Sequence, residues 1–144
     1  KLYEDIATTA KLIDKAGKIA YLNEKDYYYR IRPNSIQTAS FNPKKLDLLD
    51  QLNVVKSIVQ TTYPSIINAY YSKEQSALFN LYMNISPDDT KEMLGIADDL
   101  WHGIKKNRIS VLKDREARPD ARIASLLSFL GSIPCRCVYK LVRK

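Results

Sequence analysis

SPDDTKEMLGIADDLWHGIKKNRISVLKDREA, Ser86 to Ala117, is the stretch that decides the fold. Ser86 is an N-cap residue type, Pro87 suits a first helical turn, and Asp88 and Asp89 sit where a helix dipole favours negative charge. Met93, Ala97, Leu100, Ile104 and Val111 then recur at helical spacing along one stripe. The pattern predicts a long helix running to about Ala117 and ended by Pro119. A helix of that length with one apolar stripe needs other helices to cover it.

The flanking sequence supplies them. Upstream, Ser72 with Gln75 reads as a capping box for a helix through Asn84 that carries Leu78, Phe79, Tyr82 and Met83. Asn42 and Pro43 open an earlier helix with Leu48, Leu52, Val55 and Val59 on one side; it should stop near Tyr63, because Pro64 disfavours the helical conformation before it. Leu2 to Ala16, with Ile6, Ala10, Ile13 and Ala16, predicts a first helix with a stop at Gly17. Downstream, Asp120 caps a helix lined by Ile123, Leu126, Leu127 and Leu130 and closed by Gly131. Beyond Pro134, Cys135 to Lys144 reads either as a strand or as a short final helix. Lys18 to Arg32 mixes helical and alternating spacing, so residues 23–32 form either an extended arm or hairpin or a further helix, and Pro33 to Ser40 is a polar connection. The expectation is all-α: a compact bundle of five or six helices in a single domain, 1–144, with a basic C-terminal third, 104–144.

Composition agrees with a folded chain. At 144 residues, 45% hydrophobic and 27% charged, it is long enough to bury about two-thirds of its unfolded surface. No apolar run approaches the roughly 20 residues that cross a bilayer, and Lys1 to Lys18 lacks the zones of a signal peptide, so no membrane partner is expected and the chain reads as intracellular, cytoplasmic or nuclear. It begins at Lys1 rather than Met, which leaves upstream sequence open. The two cysteines, Cys135 and Cys137, would point to opposite faces of an extended backbone and are not expected to pair.

Charge is the main functional signal. Ile104 to Lys144 holds eleven Lys or Arg against three acids, whereas the preceding residues hold twelve against thirteen. The net +7 therefore arises from one terminal third, and such a field attracts a polyanion, RNA or DNA above all. The candidate phosphate contacts are Lys105, Lys106, Arg108, Lys113, Arg115, Arg118 and Arg122. On a helical projection Lys105, Lys106 and Lys113 lie away from the apolar stripe, and Arg108 and Arg115 within it. Three readings of those two arginines follow: the core ends near Ile104 and the later turns are wet on every side; or Arg108, Arg115, Arg118 and Arg122 form a row that grips phosphates; or an internal ion pair neutralises them. Tyr27, Tyr28, Tyr29, Arg30 and Arg32 put rings beside guanidinium groups, which suits base stacking with phosphate clamping and equally suits ordinary packing.

Catalytic signals are weak. Asp88, Glu92 and Asp99 share a sector and could in principle face Mg²⁺, but acids near a helix start stabilise it without metal. His102, the only histidine, has Asp98 one turn earlier as its nearest orienting acid, an arrangement more typical of a surface contact. A cysteine nucleophile and a zinc site lack the remaining partners, and no glycine-rich phosphate loop or Gly-x-Ser-x-Gly elbow is present. No enzyme activity, metal or cofactor is expected. The expected role is a non-catalytic nucleic-acid-binding subunit or accessory factor of a nucleoprotein complex, with little sequence preference; the alternative is an adaptor whose basic surface docks on an acidic protein. Hydrophobic spacing leaves open whether a second copy completes the core.

Overall fold

The computed structural model describes residues 1–25, 27, 28, 30 and 40–142. Six helices form a bundle, and no strand occurs among the described residues: α1 (Glu4–Lys15), α2 (Asp47–Thr62), α3 (Ile67–Met83), α4 (Lys91–Lys113), α5 (Pro119–Leu127) and α6 (Ser132–Val142). Short 3-10 turns at Pro43–Leu46, Pro64–Ile66 and Ser128–Leu130 lead into α2 and α3 and follow α5.

α3 is the axis of the bundle. Its Leu78, Phe79, Leu81 and Tyr82, with Ile85 beyond its end, pack against Ala97, Leu100 and Ile104 of α4 and Cys135 of α6. A second cluster joins Leu52 and Val59 of α2 to Tyr70 and Ala77 of α3, with Ile6 of α1 against it. Val111, Ala117 and Ala121 close a third around the α4–α5 turn. The α3–α4 contact is close because residue 103 is glycine: a Cβ there would stand 3.0 Å from a Leu78 methyl group. Gly131, at φ +105°, takes a backbone conformation that L side chains rarely adopt, and so separates the 3-10 turn from α6.

Several element boundaries depart from the sequence reading, each for a local reason. α3 does not start at Ser72. The turn at Pro64–Ile66 launches the helix earlier, so Ser72 and Gln75 are interior and buried rather than a capping box. Gln75 Nε2 donates instead to the Ile104 carbonyl (3.3 Å) and to Ser125 Oγ (3.0 Å), tying α3 to α4 and α5. α4 starts at Lys91, with Thr90 as its cap accepting from the Met93 N–H. The Ser86 hydroxyl is used in a preceding turn, where it accepts from the Asp88 N–H. α4 ends at Lys113, because Asp114 adopts an extended backbone and its carboxylate accepts from the Glu116 N–H. Pro119 thus opens α5 instead of closing α4, and Arg118, not Asp120, occupies the N-cap position. Of the two readings for the last segment, the helix is the one adopted, and it begins before Pro134.

The segment near residues 23–32 lies partly outside the described residues. Residues 23–25, 27, 28 and 30 carry no regular secondary structure.

Candidate nucleic-acid interface

The inward side of α4 is set by Ala97, Leu100, Ile104, Asn107 and Val111, all buried. At 100° per residue, Lys105, Lys106 and Lys113 fall within a sector of about 100° on the opposite side. All three are exposed, and none forms an ion pair among the described residues. The exposed charges in the first half of α4 are Lys91 and the acids Glu92, Asp98 and Asp99. Glu92 in the first turn and Lys113 in the last match the helix dipole, and Lys91 opposes it. Lys106 and Lys113 are separated by about 10 Å of helix axis, a length covered by about three phosphates of one nucleic-acid strand.

Arg115, in the turn after α4, and Arg122, on α5, are exposed and likewise free of ion pairs among the described residues. Arg118 is exposed and pairs with Asp120 at 2.9 Å. An open pair of this kind is weak, so Asp120 offsets the charge of Arg118 without locking it away from another anion.

Arg108 behaves differently. It is half-buried, donates from Nη1 to the Ser128 carbonyl (3.4 Å), and lays its guanidinium 3.8 Å above the Phe129 ring. Neither the wet-turn reading nor the internal ion pair describes it, since an aromatic face and a carbonyl stabilise the charge in place of a carboxylate. α4 therefore remains packed past Ile104: Asn107 and Val111 are buried, and Asn107 Nδ2 donates to Glu74 Oε2 on α3. Glu74 accepts a second hydrogen bond from the Tyr70 hydroxyl (2.7 Å), and the Lys56 ammonium stands over the Tyr70 ring.

Tyr28 and Arg30, the described candidates of the tyrosine-rich segment, make no bond to this surface. Tyr28 is 94% exposed, and neither Tyr28 nor Arg30 makes a hydrogen bond, ion pair or ring contact among the described residues. Arg32 and Tyr29 lie outside the described residues.

One arginine of the basic third was not singled out from sequence. Arg136 of α6 donates from Nε to the Tyr82 hydroxyl (3.0 Å) and from Nη1 to the Ile85 carbonyl (2.6 Å), and stacks 4.0 Å over the Tyr82 ring. Tyr82 in turn lies against Trp101, ring centroids 5.1 Å apart. Arg108 and Arg136 repeat one device: each stacks on a ring and donates to a carbonyl just past the end of a neighbouring helix. No local sequence pattern pointed to this role, because Tyr82 and Ile85 lie about fifty residues away along the chain.

For chemistry, the arrangement offers little else. His102 is exposed, and its Nδ1 donates to the Asp98 backbone carbonyl (2.8 Å) rather than to the Asp98 carboxylate. No group of three His, Cys, Asp or Glu gathers closely enough among the described residues to hold a metal ion. Cys135 is buried, which pushes its thiol above the ordinary value, and Cys137 is exposed; both are free. No helix is long and apolar enough to cross a membrane among the described residues. No family model, curated protein or solved structure matches this chain.

Proposed function

We propose that the chain is a non-catalytic, intracellular nucleic-acid-binding protein that holds the phosphate backbone through the C-terminal half of α4, the turn after it and α5. The observation that carries this reading is the set Lys105, Lys106, Lys113, Arg115 and Arg122, five exposed cations without an acidic partner among the described residues. Arg118 adds to it when its exposed pair with Asp120 opens. Arg108 supports the surface indirectly, because its stack on Phe129 and its bond to the Ser128 carbonyl tie α4 to the 3-10 turn that follows α5. Tyr28 and Arg30 make no contact with this set and do not carry the proposal. Nothing in the set is arranged to read base edges, so discrimination between sequences is weak.

Titration of a fluorescent 20-mer duplex DNA or RNA hairpin across a salt series tests it. Five neutralised phosphates give a slope of about −4.5 in log K against log salt for duplex DNA. Replacing Lys106, Lys113 and Arg115 together by glutamine should flatten the slope by about three. Salt-insensitive binding, or a triple variant that binds as tightly as wild type, rules the reading out.

A further inference from the structure

Phe129 lies in the 3-10 turn after α5 and is the one exposed aromatic ring among the described residues of the basic third. Arg108 of α4 sets its guanidinium 3.8 Å from the ring centroid and donates to the Ser128 carbonyl (3.4 Å), so one face of the ring is held on a cation. Phe129 nevertheless keeps 50% of its surface exposed. Unshared cations stand beside it on two helices. Ala121, Ser125 and Ser128 are buried, and at 100° per residue Arg122, Leu126 and Phe129 share a sector of about 60° turned about 100° away from them. Arg122 is two turns, about 10 Å, before Phe129. Lys105 is one turn before Arg108 on α4 and about 60° further from the apolar stripe. Both cations are exposed and free of ion pairs among the described residues.

We infer that Phe129 stacks an unpaired base while Arg122 and Lys105 hold phosphates of the same strand, so that this surface takes single-stranded nucleic acid in preference to duplex. The inference rests on the phosphate-backbone reading and adds to it the state of the strand. A duplex stacks its bases on one another and offers a protein only their edges, so a ring reaches the face of a base only where the strand is unpaired. An apolar ring alone fits many occupants, and here the cations select an anionic one. Asp98, the acid that shares the Lys105 side of α4, stands ten residues, about 15 Å, before Arg108. Asp120 lies about 160° round α5 from Arg122 and is paired with Arg118. The Arg108 contact also orders the ring before a ligand arrives, which lowers the entropy lost on stacking. Every base has a face, so the stack adds affinity without sequence preference.

Three fluorescein-labelled probes test it at one salt concentration: an oligothymidine strand, an abasic strand with the same number of phosphates, and a duplex of the same length. The full chain should bind oligothymidine about tenfold tighter than the abasic strand, and tighter than the duplex. Phe129→Leu keeps an apolar side chain without the ring, and should weaken oligothymidine binding about tenfold while leaving the abasic strand unaffected. Phe129→Trp should restore it. Equal affinity for oligothymidine and the abasic strand, or tighter binding of the duplex, overturns the inference and leaves the phosphate-backbone reading standing. A Phe129→Leu loss that is equal on both strands also overturns it, because the ring would then only be packing the turn. So does a concentration-dependent dimer in sedimentation that Phe129→Leu dissolves, which would assign the ring to a second copy. Absence of salt-dependent binding to all three probes instead overturns the phosphate-backbone reading, and this inference with it.

Discussion

Gln75 links three helices with one amide, and its neighbours show why single polar residues matter so much in this interior. Fully buried, it donates to the Ile104 carbonyl on α4 and to Ser125 on α5. Gln75→Ala removes both donations and opens a void, so stability should drop by about 2–3 kcal/mol, read as a lower urea midpoint. Tyr70 gives a second test. Burial, and then its hydrogen bond to Glu74, raise the phenol far above its ordinary 10.0. A group whose folded-state value is raised contributes stability that is complete below the unfolded value and lost as pH rises above it. The stability advantage of wild type over Tyr70→Phe should therefore hold at neutral pH and shrink above about pH 10 in denaturant titrations. Neither role was legible in the sequence. Gln75 looked like half of a capping box because a serine three residues earlier satisfies that pattern, and the pattern carries no information about what lies across the helix.

Helices announced themselves by apolar period, and several of their ends, such as those of α2 at Pro64 and α3 at Asn84, were legible too, whereas both ends of α4 were not. The stripe Leu48, Leu52, Val55, Val59 and the stripe Ala97, Leu100, Ile104, Val111 both face the core. The boundaries of α4 moved by several residues because local side-chain-to-backbone bonds, invisible to the apolar period, set them. At the start of α4, Ser86 and Thr90 are both competent caps, and the structure uses Thr90; near its end, Asp114 turns the chain before the proline that seemed to terminate it. α6 was ambiguous because Cys, Val and Tyr favour strands locally, and what holds it as a docked helix is long-range: Arg136 on Tyr82 and the Ile85 carbonyl. Arg136→Lys keeps the charge but loses the planar fork and the stack. Amide protons of α6 should then exchange about tenfold or more faster while those of α3 keep their protection, a difference that hydrogen exchange resolves.

For the molecule as a whole, the excess of positive charge was readable from a count, and its environment was not. The count treated Arg108, Arg118 and Arg136 as equals of Lys106. In the folded chain Arg108 and Arg136 are committed to ring faces and carbonyls, and Arg118 shares its charge with Asp120, which leaves Lys105, Lys106 and Lys113 with Arg115 and Arg122 as the unshared set among the described side chains of the basic third. The order of charges along α4 has a mechanical result. Its leading half carries Glu92, Asp98 and Asp99, and its trailing half Lys105, Lys106 and Lys113, on a rod about 34 Å long. Such a rod is an electric lever whose acidic half outweighs the lone Lys91 at its start: the field of a polyanion would exert a torque on it before contact, in the sense that turns the trailing lysines forward.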